Sequence, residues 1–169
     1  MFSKGRYSVR EIAFLGVALA TIEVAKQVLS FVPNVELVTL LFIIYSIYMG
    51  RKTLLVAVGF IAIDCFIYGV SVWVLMYLYI WPTLILIAYF AARRDAKRIF
   101  YCVLSAVYGL LFGFFCSIPY IFMGGWQTAF GWWISGIPYD VIHCISNFVL
   151  CLILFKPLCS VMKKVYKTQ

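Results

Sequence analysis

Six long apolar runs, none of them alternating with polar positions, constrain this chain more than any other feature. They cover roughly residues 9–30, 36–50, 53–71, 73–92, 99–118 and 137–159. A segment in hydrocarbon has no water to satisfy its backbone, which leaves a helix of about 20 residues or a strand of a closed barrel. Barrel strands alternate apolar and polar residues, so these runs read as helices. Hydrophobic residues make up 66% of the chain and charged residues 12%, against about 45–50% and about 25% in soluble domains. The chain therefore reads as an all-α integral membrane protein, one six-helix domain over residues 1–169. The second run is short for a span, which implies tilt or a locally thinned bilayer. No A-x-A-like site follows the first run, which continues through Glu23 and Lys26, so the first helix is expected to stay.

The net charge of +8 is not spread as a nucleic-acid-binding surface would be. Lys4, Arg6 and Arg10 precede the first run, Arg51 and Lys52 follow the second, and Arg93, Arg94, Lys97 and Arg98 follow the fourth. Lys156, Lys163, Lys164 and Lys167 close the sixth, while the other three connections carry no Lys or Arg. By the positive-inside rule every cationic segment is cytoplasmic. Six transmembrane helices with both termini cytoplasmic satisfy that rule throughout, with nucleic acid excluded as a partner and the lipid bilayer as the surroundings.

Catalytic and energy-coupling motifs are missing. The chain has one histidine, His143, and neither H-E-x-x-H, G-x-S-x-G nor a phosphate loop of the form G-x-x-x-x-G-K-[ST]. No enzyme, cofactor or metal is expected. The six cysteines lack any C-x-x-C pair and read as small helix-packing residues.

Polar residues instead gather at the outer ends of the runs. Glu23 and Lys26 lie near the end of the first helix, Asn34 and Glu36 at the first outer connection, and Asp64 and Tyr68 on one face of the third helix. Asp140, His143 and Asn147 recur at three- and four-residue spacing, one stripe of the last helix. Each carboxylate taken alone could be a structural pair, Glu23 with Lys26 for example. Their concentration at one level favours a shared outward cavity, since ionisable groups in a membrane face a cavity or each other. Trp73, Tyr77 and Trp81 form an i, i+4, i+8 stripe, and Tyr120, Trp126, Trp132 and Trp133 stand among glycines at 118–136. Some of these rings read as interfacial belt. The rest suit an aromatic box closed by a glycine-jointed lid. Apolar inner halves, Thr53–Ile61 and Phe148–Phe155, argue against a channel, and a purely structural subunit would not need the outer cluster.

FVPNVELVTLLFIIYSIYMG after the first helix, together with GIPYDVIHCISNFVLCLILFKPL in the last, resembles the substrate-binding S component of energy-coupling factor (ECF) transporters, the bacterial vitamin importers. The resemblance implies a multi-pass protein of the bacterial cell membrane. Such a protein captures a vitamin or precursor at an outward-facing pocket and depends on a membrane coupling protein and two cytoplasmic ATPases for transport. It also implies docking through small residues of the first helix, here Gly16-x-x-x-Ala20 where the family has alanines. A ligand would then lie near Asn34, Glu36, Asp64, Trp73, Tyr77, Trp81, Tyr120, Trp133, Asp140, His143 and Asn147.

Four carboxylates against one lysine at that level make an anionic ligand costly to bury. A neutral or cationic heteroaromatic is expected: thiamine or its thiazole or pyrimidine precursor, with pyridoxine next and cobalamin or riboflavin as alternatives. A structural membrane subunit, or a solitary transporter without an ECF module, is the competing class.

Overall fold

The computed structural model describes residues 7–166. Among them the chain is helical and without strands: α1 (Val9–Leu29), α2 (Val38–Met49), a 3-10 turn (Gly50–Lys52), α3 (Thr53–Tyr68), α4 (Val72–Ala92), α5 (Arg98–Leu110) and α6 (Phe112–Tyr166). α1, α4 and the 98–166 stretch are long and apolar enough to cross a membrane. The sequence boundaries of the first four runs agree with these helices to within a few residues. Lys4, Arg6 and Lys167 lie outside the described residues.

α1 begins at a capping box. The Ser8 hydroxyl accepts from the Glu11 N–H at 3.1 Å, and the Ser8 N–H donates to Glu11 Oε2 at 2.9 Å. This arrangement satisfies two of the donors that every helix start leaves open. The other Glu11 oxygen accepts from Lys52, which ties the start of α1 to the 3-10 turn between α2 and α3.

α2 explains its own shortness. Twelve residues rise only about 18 Å, well short of the roughly 30 Å hydrocarbon core. Yet every side chain from Val38 to Ser46 is buried. α2 touches α1, α3, α4, α5 and α6, so it is the central post of the bundle, surrounded by the other helices. Phe42, Phe60 and Trp81 lock it to α3 and α4, with ring centroids 5.2–6.1 Å apart.

The 118–136 segment departs from expectation. It is helix, not a glycine-jointed loop, and only Gly125 (φ 77°, ψ 177°) leaves helical geometry. A left-handed φ is available to glycine without a Cβ penalty, and here it reverses the chain. α5 with residues 112–124 runs antiparallel to residues 126–166 in a steady register. Tyr101 stacks on Phe155, Asn147 reaches Ser105, Gly109 lies on the His143 backbone, Gly113 meets Asp140, and Tyr120 stacks on Trp132. Gly131 and Gly136 are helix-interior residues, which propensity disfavours by only about 1 kcal/mol each, and Gly124 ends the first arm. The long antiparallel partner outweighs that cost.

Cations collect at one end of the bundle. Arg51 lies 5.4 Å over Tyr89, Arg93 donates to the Tyr89 hydroxyl at 3.1 Å, and Asp95, Arg98, Lys156 and Lys163 line one recess. The carboxylates Glu36, Asp64 and Asp140 belong to the opposite, acidic end.

Candidate functional site

Glu36 is the hinge of the site. Its Oε2 accepts from the Thr39 N–H at 2.8 Å, capping α2 from just before its first turn. Its Oε1 stands 3.2 Å from His143 Nε2 on α6. One carboxylate therefore starts the central helix and joins it to the last one. With the carboxylate accepting, Nε2–H is the donor, and buried Nδ1 is left without a partner.

The second pair is Lys26 with Asp64. The α1 ammonium donates to Asp64 Oδ1, and Asp64 is wholly buried. Rings surround that ammonium: Tyr68 at 4.8 Å, Phe60 at 5.1 Å, Trp73 at 5.3 Å and Tyr77 at 5.9 Å. A cation within about 6 Å of a ring face is attracted by the ring quadrupole, more so when desolvated. The local alternative, Glu23 with Lys26, is not the pair that forms. Both Glu23 carboxylate oxygens are buried without a partner.

Between the two pairs lies a cavity of 170 Å³ lined by Lys26, Glu36, Val38, Phe60, Tyr77, Trp81, Phe112 and His143. The α4 stripe forms one wall, with Trp73–Tyr77 and Tyr77–Trp81 centroids 5.5 and 5.3 Å apart. Trp81 is 3% exposed and its indole N–H has no acceptor. Buried polar atoms are normally hydrogen-bonded, and each exception calls for an explanation. The Trp81 N–H and His143 Nδ1 are two such atoms on residues of a single cavity.

The predicted site residues thus divide. Glu36, Tyr77, Trp81 and His143 line the cavity, and Asp64 and Trp73 bear on it through Lys26. Asp140 and Asn147 share the predicted stripe with His143 but serve the helix hairpin. Asp140 Oδ1 accepts from the Gly113 N–H at 3.0 Å, and the Asn147 amide donates to the Ser105 carbonyl at 3.3 Å. Tyr120 stacks on Trp132 at 4.6 Å and Trp133 packs edge-on to Phe114 at 5.4 Å, so both are hairpin contacts outside the cavity lining. Gly16 and Ala20 face outward on α1, and a side chain added at Gly16 would meet nothing within 4 Å.

Asn34 contributes backbone. It sits at φ 59°, and its carbonyl accepts from the Ser146 hydroxyl at 2.8 Å. Asn34→Gly, which keeps the turn and the carbonyl, is expected to leave thermal stability and ligand binding within about 0.5 kcal/mol of the parent. A larger loss of affinity in a binding titration would return the Asn34 side chain to the site.

Sequence reasoning passed over Lys26, Val38, Phe60 and Phe112 as lining residues. Lys26 was legible as the one cation at the acidic level. The others are apolar residues that only packing singles out. Also missed was Ser105-x-x-x-Gly109-x-x-x-Gly113, a small-residue stripe of the kind that lets helices approach closely.

The fold and site together define a helical membrane protein with a partly open cavity between two part-buried, hydrogen-bonded pairs, Lys26–Asp64 and Glu36–His143. Compared with known proteins, the chain matches no family model, no curated protein sequence and no solved structure.

Proposed function

We propose that this protein is the substrate-capturing subunit of an ECF-type importer. Its ligand would be a small neutral or cationic heteroaromatic compound, bound in the cavity at the acidic end. The observation that carries this reading is the 170 Å³ cavity in which the Glu36–His143 pair meets Tyr77 and Trp81. A cavity of about 150 Å³ accepts one benzene ring, so the space suits a single ring with polar substituents. Within the thiamine-related class this favours the separate thiazole or pyrimidine precursor over two-ring thiamine. Pyridoxine fits equally, and riboflavin and cobalamin are disfavoured. Lys26 is already paired with Asp64, so the lining offers an anion no free ammonium, while the Glu36 carboxylate supports a neutral or cationic ligand.

Orientation follows from the cationic clusters: the basic end is cytoplasmic, six spans cross the membrane, and the acidic end faces outward. The exposed Gly16–Ala20 face of α1 is where a membrane coupling protein would approach, with two cytoplasmic ATPases supplying the energy that this chain has no motif to harvest.

Tryptophan fluorescence of the purified protein, titrated with thiamine, its two precursors, pyridoxine, riboflavin, folate and cobalamin, tests the reading. One single-ring compound is expected to quench saturably. Glu36→Gln should weaken it ten-fold or more, because a charge-assisted hydrogen bond contributes about 1.5–3 kcal/mol. Preferential binding of folate, or no response from folded protein to any compound, would reject it. The competing reading, a structural subunit, predicts the second of these outcomes.

A further inference from the structure

The basic end carries an open recess of 530 Å³ that the proposed capture function does not use. Four elements build it. Tyr48 comes from the end of α2, Asp95 from the turn after α4, Arg98 from the first turn of α5, and Lys156 and Lys163 from α6 two turns apart on one face. Its floor is fixed. The Tyr48 hydroxyl donates to the Cys159 carbonyl at 3.0 Å, and Tyr101 stacks on Phe155 with centroids 5.3 Å apart and planes 21° from parallel. Three cations face one carboxylate there. None of the three forms an ion pair among the described residues, whereas Lys26 and Lys52, the paired lysines, each hold a carboxylate. Positive charge of one sign is thus concentrated against an aromatic and apolar floor, in a protein whose helices place it in phospholipid.

We infer that this recess binds the phosphate of an anionic phospholipid headgroup, with Arg98, Lys156 and Lys163 as its ligands. Basic pockets between membrane helices recognise phosphate headgroups in this way. Arg98 offers a planar fork suited to two phosphate oxygens, and the lysines supply mobile point charges. The apolar floor accounts for a lipid source: a free phosphate ion has nothing to bury there, whereas the glycerol and first acyl carbons do. Asp95 opposes the phosphate and leaves a net attraction of two charges. This assignment does not depend on the identity of the captured nutrient.

The test uses the full chain in neutral detergent. Phosphatidylglycerol is titrated in, phosphatidylcholine serves as the neutral lipid and inorganic phosphate as the free ion. Thermal unfolding and lipid retention in native mass spectrometry are the readouts. Phosphatidylglycerol is expected to stabilise and remain bound to the parent. Each of R98Q, K156Q and K163Q should weaken retention about five-fold, as expected from the attraction per basic residue near anionic headgroups. R51Q, R93Q and K97Q, which remove the same charge from the same end but outside the recess, should retain it. Equal losses in both sets would show attraction to charge alone and overturn the site. Stabilisation by millimolar inorganic phosphate matching that of phosphatidylglycerol would overturn the lipid assignment in favour of a free anion. Because the single substitutions lie at exposed positions, each variant is expected to fold.

Discussion

Gly109→Val is expected to lower the thermal unfolding midpoint of the detergent-solubilised protein by roughly 5–10 °C. A Cβ at Gly109 would stand 2.8 Å from the His143 carbonyl carbon and oxygen and 2.9 Å from the Cys144 nitrogen. All three are backbone atoms, so no rotamer change relieves the clash and α5 must move away from α6. Overpacking of this kind costs about 1–3 kcal/mol. Because the clash falls on the His143 backbone, any yielding of α6 shifts the imidazole relative to Glu36, so ligand binding should fall with stability. Gly16→Ala is the matched control, since its Cβ meets open space and alanine is the better helix former. A midpoint for Gly109→Val equal to that of Gly16→Ala would refute the close approach of the two helices.

Lys26→Met should have the other large effect, a loss of about 3–5 kcal/mol, because it leaves Asp64 charged and buried with no partner. Retaining the long apolar stem keeps the packing, so the change isolates the ammonium. The double variant Lys26→Met/Asp64→Asn removes both charges and should recover most of the lost stability in the same unfolding measurement. If the double variant stayed as unstable as the single one, the aromatic rings around the ammonium, and not the ion pair, would be holding α1 to α3 and α4. The two possibilities separate because the Asp64→Asn change leaves Phe60, Tyr68, Trp73 and Tyr77 in place.

These two sites differ in how far the sequence revealed them. Lys26 stood out as the lone cation among acidic residues, but its partner did not. Glu23, three residues away on the same helix, was the local choice, and Asp64, 38 residues away, is the actual one. Helical spacing ranks local partners only, and the choice between them was made by how α1 packs on α3. Glu36 posed the converse problem. Its place before the apolar run marked it as unusual, and both of its roles, the cap on Thr39 and the contact with His143 at a separation of 107 residues, became visible only once α2 and α6 were adjacent.

The aromatic residues divide in the same way. The Trp73–Tyr77–Trp81 stripe was readable because one face of a helix repeats every three to four residues, and the three rings do pack in series. Tyr120 and Trp133 carried no such pattern. Their glycine-rich surroundings read as a loop, whereas the segment is helical on both sides of a single reversal at Gly125. Propensity penalties at Gly131 and Gly136 are small beside the contacts of a long antiparallel hairpin.

Membrane class, helical state and the helix limits over the first four apolar runs were all legible in the residues alone, because hydropathy, helical period and breakers such as Gly69 act locally along the chain. Packing made α2 a central post, joined α5 and α6 as one hairpin, and brought Lys26 to Asp64 and Glu36 to His143. Those outcomes depend on which faces come within contact distance, and many packings of six apolar helices share the same local pattern.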